Sequence, residues 1–155
     1  MTPPRGDFHF EAPAHTLSNG MRVLLMERHH LPILSLTVLV RTGVISEGPG
    51  EAGLAGFTSG LLPRGTVRRS ALRLAEEVDS LGAVLGVHSD YDLSMVGVSS
   101  LVRDETKAIE LLADVVTSPA FAVEEVERRR DDILSALERR KDDPHERVRD
   151  PELAR

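Results

Sequence analysis

The side chains that could perform chemistry are few in this sequence, and their spacing does not combine them into a site. His29 and His30 are adjacent before Pro32, where neighbouring side chains of an extended segment point to opposite sides. They make a poor chelate, and we interpret them as surface residues. None of the other histidines has a second histidine four residues away; these are His9, His15, His88 and His145. With no cysteine in the chain, disulfides and thiolate metal sites are excluded, while the compartment stays open.

One serine could suggest a nucleophile. Ser59 lies in "GLAGFTSGLLPRGT", the stretch from Gly53 to Thr66, but no histidine is near it in sequence. Its glycines do not form a nucleophile elbow, and its context is helical, so we do not assign it that role. No phosphate-binding loop of Walker or Rossmann spacing is present. The charged runs "EEVERRRDD" and "ERRKDD" are typical of a solvated helix face.

Composition narrows the class of protein. The 155 residues suit one domain or a large piece of one, and 41% hydrophobic residues are enough for a core. A net charge of −6 argues against a nucleic-acid partner, whose binding surface is usually basic. Lysine occurs only at positions 107 and 141 among many arginines, which suggests a GC-rich bacterial genome.

Neither a signal peptide nor a membrane span is visible. The opening "MTPPRGDFHFEAP" has no apolar run of signal-peptide length, and no window approaches the ~18 apolar residues of a spanning helix. The sequence as written therefore suggests the cytoplasm, or the periplasm if a signal has been removed. The polar, proline-broken end "RRKDDPHERVRDPELAR" closes no strand, which indicates the front part of a longer protein.

The order of elements predicts an α+β fold, with helices covering a largely antiparallel sheet. Asn19-Gly20 favours a hairpin, and the β-branched run from Ile33 to Val40 predicts a central strand. A weak helix over 51–62 packs through Leu54, Phe57 and Leu61, and a clear helix has Ser70 as its N-cap and Gly82 beyond its end. Two strands flank Asp90-Tyr91, a helix is stopped by Pro119, and a last helix has Val126, Ile133 and Leu137 facing inward.

At this point a family resemblance appears. The segment "LSNGMRVLLMERHHLPILSLTVLVRTGVISEGPGEAGLAGFTSGLLPRGT" resembles the start of the insulinase, pitrilysin and mitochondrial processing peptidase family. The matches to that family's pattern are Leu17, Asn19, Gly20, Arg22, Val23, Gly43, Glu47, Gly53, Leu54, Ala55, Phe57, Gly65 and Thr66. The resemblance implies a processing-peptidase-like metallohydrolase fold that is truncated here. We divide the chain into an N-terminal extension (1–16), part of a peptidase-family domain (17–144) and a truncated polar end (145–155).

In that family a His-x-x-Glu-His helix holds zinc, and its glutamate activates the bound water. Carried onto this chain, the two histidines fall on Gly56 and Gly60, and the catalytic glutamate falls on Ser59. The third ligand falls on Ala136, and a supporting carboxylate on Arg129. The resemblance therefore implies that no catalytic, cofactor-binding or metal-binding residue remains, and that zinc belongs only to active relatives.

Two features of these replacements leave alternatives open. Arg129 shares a helix face with Glu125, Asp132 and Ala136, so it can either extend toward the vacant metal position or pair with a neighbouring acid. Ala52, Gly56 and Gly60 form a smooth stripe at i, i+4, i+8. This stripe is either drift after loss of the metal, the interpretation we favour, or a groove for a peptide or partner backbone.

By resemblance, we expect a non-catalytic, pseudo-peptidase member of the family that pairs with an active subunit or domain and helps to bind peptide. Such relatives act in hetero-oligomers, and a sheet edge within residues 33–101 would suit an extended peptide. One alternative is a structural assembly subunit, like the core proteins of a respiratory complex. Another is an active zinc metallopeptidase whose intact motif lies outside these residues.

Overall fold

The structure is a computed structural model, and it describes the backbone of residues 12–142 and the side chains of residues 12–139. His9, His145 and the predicted polar end at 145–155 lie outside this range. The chain divides into two units, Met1–Pro32 and Ile33–Arg155. Within residues 12–142, no helix combines the length and apolar character needed to cross a bilayer.

The first unit contains the predicted hairpin. Strands β1 (Ala14–Thr16) and β2 (Arg22–Leu24) pair antiparallel. The turn between them places Gly20 at φ +85°, a conformation that glycine adopts readily. The Met21 amide donates to Oδ1 of Asn19 at 3.0 Å, which stabilises this turn. The Asn-Gly signal thus predicted this element correctly.

The second unit alternates short helices with strands. In chain order its elements are β3 (Ile33–Val40), α1 (Leu54–Leu61), β4 (Gly65–Thr66), β5 (Arg69–Ser70), α2 (Ala71–Ser80), β6 (Val84–Ser89), β7 (Ser94–Leu101), α3 (Glu105–Thr117) and α4 (Val123–Asp142). Short 3-10 turns occupy Val44–Ser46, Leu62–Arg64 and Val102–Asp104.

The main sheet has the order β3–β7–β6, with both pairings antiparallel. Its central strand is therefore β7, and the prediction that residues 33–40 form a central strand was wrong. The apolar residues of β3 are not all buried, since Ile33 and Leu39 are 53% and 61% exposed. A strand's place in a sheet is set by its pairing, and β7 is the strand that pairs on both sides.

One face of this sheet carries the core. Val96 and Val98 of β7 are almost fully buried beneath α2 and α3. The buried helix residues that complete this cluster are Leu74, Val78, Ala108, Leu111, Leu112 and Val115. Burial of about eight aliphatic side chains supplies the main stabilising term, roughly 1.5–3 kcal/mol for each large one. The predicted α+β fold, with helices over an antiparallel sheet, is confirmed.

The predicted helix boundaries hold for α2 and α3. The Ser70 hydroxyl accepts from the Arg73 amide at 3.3 Å, as an N-cap does. Gly82 follows α2 at φ +57°, and α3 ends at Thr117, two residues before Pro119. Each signal acts locally on the backbone, which explains why sequence alone located it.

Along α4 the prediction is only partly correct. Val126 and Ile133 are half-buried, but Leu137 is 46% exposed, so its predicted inward position was wrong. The 20-residue α4 is about 30 Å long, whereas α1, which it contacts, has 8 residues and spans about 12 Å. The apolar stripe of α4 therefore extends past the helix against which its first half packs.

A buried carboxylate joins α3 to the small β4–β5 hairpin. Asp114 of α3 has a side chain only 5% exposed, and Arg68 donates to it from Nε at 3.0 Å. Arg68 Nη2 and Arg69 Nη1 also bond this carboxylate, and Arg69 Nε bonds Glu77 at 2.8 Å. The Arg68 hydrogen bond, aided by the charges of Arg68 and Arg69, lowers the pKa of Asp114 despite its burial.

Backbone bonds fix the same hairpin. The Val67 amide donates to the Ser118 carbonyl at 2.9 Å, and the Ala120 amide donates to the Gly65 carbonyl at 3.1 Å. The segment between α1 and α2 is therefore tied to the end of α3 by both main-chain and side-chain contacts.

Replacing Asp114 should destabilise the protein. We expect Asp114→Asn to lower the free energy of unfolding by about 1.5–3 kcal/mol, because hydrogen bonds to a buried charge are lost. The measurement is urea unfolding at pH 7 followed by circular dichroism. Asp79→Asn is the control, since Asp79 is exposed on α2 and its side chain bonds no residue within 12–139. Equal stability of the two variants would contradict this role.

The hydrogen-bonded ion pair of Asp114 with Arg68 predicts that stability depends on pH. Because the pKa of Asp114 is lowered in the folded state, its contribution is complete above the unfolded pKa, about 3.9, and is lost as pH falls through the lower folded pKa. The stability difference between the native chain and Asp114→Asn should therefore shrink below about pH 4. Unfolding curves measured from pH 7 downward test this, and a difference that stays constant into strong acid would contradict it.

Candidate functional site

A carboxylate from the preceding loop fixes the start of α1. Glu47 accepts the Gly53 amide at 2.9 Å and the Ala55 amide at 2.8 Å, one through each carboxylate oxygen. These bonds satisfy amides that the first turn of a helix leaves free, and the negative charge suits the helix dipole there. Gly53 itself adopts φ +90° before the helix. The sequence comparison matched Glu47 without giving it a role, and the structure supplies one.

The five positions that the resemblance assigned lie on two helices that contact each other. Gly56, Ser59 and Gly60 are on α1, while Arg129 and Ala136 are on α4. A Cβ placed on Gly56 would meet nothing within 4 Å, so this position borders open space. Of these five positions, the structure brings Gly60 and Arg129 into direct contact.

Arg129 crosses from α4 to the backbone of α1. A Cβ placed on Gly60 would lie 2.6 Å from Arg129 Nε and 2.7 Å from both Cζ and Nη2. Real side chains do not approach so closely, so the guanidinium occupies the space that any other residue at position 60 would fill. The predicted extension of Arg129 toward Gly60 is present.

The alternative, an Arg129 paired with Glu125 or Asp132, is not what the structure contains. Arg64 lies 3.6 Å from Glu125 and 3.9 Å from Asp132, and Arg128 lies 3.3 Å from Glu125. Arg129 has no hydrogen bond or ion pair with any residue from 12 to 139, and its Nε is buried without an acceptor. Sequence spacing identified the acids on this face of α4 but not Arg64, which comes from the turn after α1.

Ser59 is buried beside strand residues of the sheet. It is 7% exposed and lines a cleft of about 270 Å³ between α1 and the strands, together with Val96 and Leu62. The described residues that line this cleft include no histidine; they do include Glu47 and Glu51, whose carboxylates accept the backbone amides of Gly53, Ala55 and Gly48. Ser59 therefore has no histidine base beside it to activate its hydroxyl. Leu54 also borders the cleft but is 49% exposed, so its predicted part in packing α1 was wrong; Leu61 is buried, and Phe57 is half-buried.

The described residues include four histidines. His15, His29, His30 and His88 are exposed, and His29 Nε2 lies 3.1 Å from Glu27 Oε2. Within the described residues, no group of three or more histidine, aspartate or glutamate side chains is arranged to hold a metal ion.

The side chains at the assigned positions do not fit the zinc ion of active relatives. Zinc in catalytic sites needs three protein ligands and an open position. Glycine at 56 and 60 and alanine at 136 offer no donor, and the Arg129 guanidinium adds a permanent positive charge beside Gly60. The side chains at positions 56, 60 and 136 therefore supply no zinc ligand.

The contact between Gly60 and Arg129 predicts different outcomes for two similar substitutions. Gly56→Ala should stabilise the protein by roughly 1 kcal/mol, because alanine favours a helix and the space is open. Gly60→Ala should gain less, because its methyl group must displace the guanidinium. Urea unfolding measures both effects.

The same two substitutions made together with Arg129→Ala provide the control. In the Arg129→Ala background, Gly56→Ala and Gly60→Ala should raise the free energy of unfolding by equal amounts. At both positions the gain then comes only from the higher helix propensity of alanine compared with glycine. If the two alanine variants gained equal stability while Arg129 is present, the contact between Gly60 and Arg129 would not contribute to stability.

The profile of the insulinase family (peptidase family M16) matches residues 22–154 of this chain. Among curated proteins, an uncharacterized zinc protease of Mycobacterium leprae is 34% identical over 142 residues, which are 90% of this chain and 31% of that protein. An uncharacterized zinc protease of Rickettsia bellii is 29% identical over 132 residues, 85% of this chain and 32% of that protein. Subunit 1 of the mitochondrial cytochrome b-c1 complex of Bos taurus is 32% identical over 83% of this chain and 26% of its own length.

Solved structures share the fold. A peptidase M16 inactive domain from Pseudomonas fluorescens has a TM-score of 0.82 at 24% identity, covering 88% of this chain and 34% of that one. A protease from Helicobacter pylori has a TM-score of 0.74 at 21% identity, covering 85% and 32%. The chain spans about a third of the length of the curated relatives it matches. With a family profile matched from strand β2 onward, this chain belongs to the insulinase family, peptidase family M16.

Proposed function

We propose that this chain is a non-catalytic member of the insulinase family that pairs with an active family subunit or domain and helps to bind peptide. One observation carries the proposal: the Arg129 guanidinium rests on Gly60, where the resemblance would put a zinc-binding histidine. The two other assigned ligand positions are Gly56 and Ala136, which have no donor atoms. The chain keeps the family fold but lacks ligand atoms at all three assigned zinc positions. This combination suits a partner subunit better than an independent hydrolase.

Two further points support this proposal. The structural relative from Pseudomonas fluorescens is itself described as an inactive domain of the same family. In addition, strands β3 and β6 form the two edges of the three-stranded sheet, and an extended peptide can add to such an edge through main-chain hydrogen bonds.

A second candidate is a structural subunit of a larger assembly. It is favoured by the 32% identity to subunit 1 of the bovine cytochrome b-c1 complex. In this role the chain would contribute contact surface to a complex, and peptide binding would be unnecessary. An active metallopeptidase remains the third candidate only if residues outside this chain supply an intact motif.

The test is zinc content and peptide cleavage by the purified chain, alone and mixed with a family member that has an intact His-x-x-Glu-His motif. We expect no stoichiometric zinc and no cleavage from this chain alone, because its donors are absent, and faster cleavage by the mixture than by the partner alone. Stoichiometric zinc together with cleavage by the lone chain would overturn the proposal.

Two controls sharpen this test. A partner whose motif glutamate is changed to glutamine should abolish cleavage by the mixture, which assigns the chemistry to the partner. A complex that forms without any change in cleavage or peptide affinity would favour the structural subunit instead.

A further inference from the structure

One face of the three-stranded sheet carries no charged residue. Alternate residues of each strand point into the core, as Val96 and Val98 do in β7, and the residues between them point the other way. This outer face consists of alternate residues from Ile33 to Leu39, from Val84 to His88 and from Met95 to Leu101. None of them is aspartate, glutamate, lysine or arginine, although 28% of the chain is charged.

The outer face is apolar and open. Strand pairing joins its large side chains across the sheet, since Leu39 lies beside Met95 and Ile33 lies beside Leu101. A Cβ placed on Gly86 would meet nothing within 4 Å, so the space above the middle of β6 is free. Single apolar residues are normal on a protein surface, whereas a contiguous uncharged patch marks an interaction site.

The shape of the outer face suits a helix. Its middle is low, because Gly97 lies between Thr37 and Gly86 in the pairing register. Larger apolar side chains stand at the two ends of β3, where Leu39 and Ile33 are about 20 Å apart along the strand. A helix with its side chains is about 10–12 Å wide, so it can lie across the small residues between them.

The size of the outer face limits what can cover it. Three strands of up to eight residues span roughly 26 Å by 14 Å, which is on the order of 400 Å². A standard interface between free proteins buries about 800 Å² on each partner. The face alone is therefore too small to hold two copies of this chain together. One helix covers it, provided that further contacts hold the protein to which the helix belongs.

We propose that the outer face docks the apolar, uncharged side of a helix carried by the active family subunit. The outer face offers no counter-ion, so a charge on the docking side of that helix would be buried without a partner. The helix must also belong to a protein that contacts this chain elsewhere, as the active subunit does under the proposed function. This inference rests on that function and assigns a surface to the pairing.

Variants at Thr37, an exposed residue in the middle of the outer face, test the proposal. Thr37→Lys adds a charge, Thr37→Gln adds a neutral side chain, and Thr106→Lys adds the same charge at an exposed position of α3. The probe is a family member with an intact His-x-x-Glu-His motif, and biolayer interferometry measures its binding. We expect Thr37→Lys to bind about tenfold more weakly than Thr37→Gln, and Thr106→Lys to bind as the native chain does.

Cross-linking identifies what covers the outer face. The chain has no cysteine, so Thr37→Cys supplies a single thiol for a maleimide photo-cross-linker. In the complex, we expect the cross-linked products to map by mass spectrometry to one helix of the active subunit. Cross-links between two copies of this chain, or to no helix of the active subunit, would overturn the proposal.

The remaining outcomes separate this inference from the proposed function. In the lone chain, Thr37→Lys and Thr37→Gln should melt at the same temperature, because residue 37 is exposed; a much lower value for the lysine variant would overturn the inference. Equal binding of these variants, with faster cleavage on mixing, would overturn the docking face but leave the proposed function intact. If the native chain formed no complex with the active subunit, the proposed function would fail, and this inference with it.

Discussion

A contact between α1 and α4 depends on the absence of a side chain at position 60. Because residue 60 is glycine, the Arg129 guanidinium can lie within van der Waals distance of the α1 backbone, closer than any β-carbon would allow. This contact places a fixed positive charge beside Gly60, the position to which the resemblance assigns a zinc-binding histidine of active relatives. In the proposed function, the glycine at position 60 and the arginine at position 129 therefore act together, since the first makes room for the second.

The rest of the second unit forms a framework around this contact. The core of α2, α3 and the β7-centred sheet is aliphatic and contributes most of the stability. The Asp114 cluster ties the segment after α1 to α3. α1 itself has few buried residues and contains two glycines, so its helical state depends on these attachments more than on its own propensity.

Local signals in the sequence predicted much of this fold. The Asn19-Gly20 turn, the Ser70 cap and the stop before Pro119 each act within a few residues, and each prediction was correct. The central strand could not be identified, because the pairing of β3 with β7 joins residues that are far apart in the sequence, from Val40 with Ser94 to Ile33 with Leu101. Leu137 was misplaced because helical spacing indicates a stripe but not how far the neighbouring helix extends.

The candidate site could also be predicted only in part from the sequence. The resemblance located Gly60 and Arg129, and helical spacing suggested that Arg129 could reach α1, since side-chain length and helix faces are local properties. Arg64 was missed because it enters from a different element. Asp114 was also missed, although a signal existed: an aspartate among the core-facing residues of α3 requires a cationic partner.

The attachment of α1 at both ends has a consequence for recognition. Glu47 holds its first amides, and the hairpin that follows it is bonded to Ser118 and Ala120 beyond α3. The helix surface is thus preorganised: an incoming chain meets a rigid face and avoids the entropic cost of ordering it. Under the proposed function, a preformed surface of this kind would favour slow dissociation of a bound extended chain over fast capture.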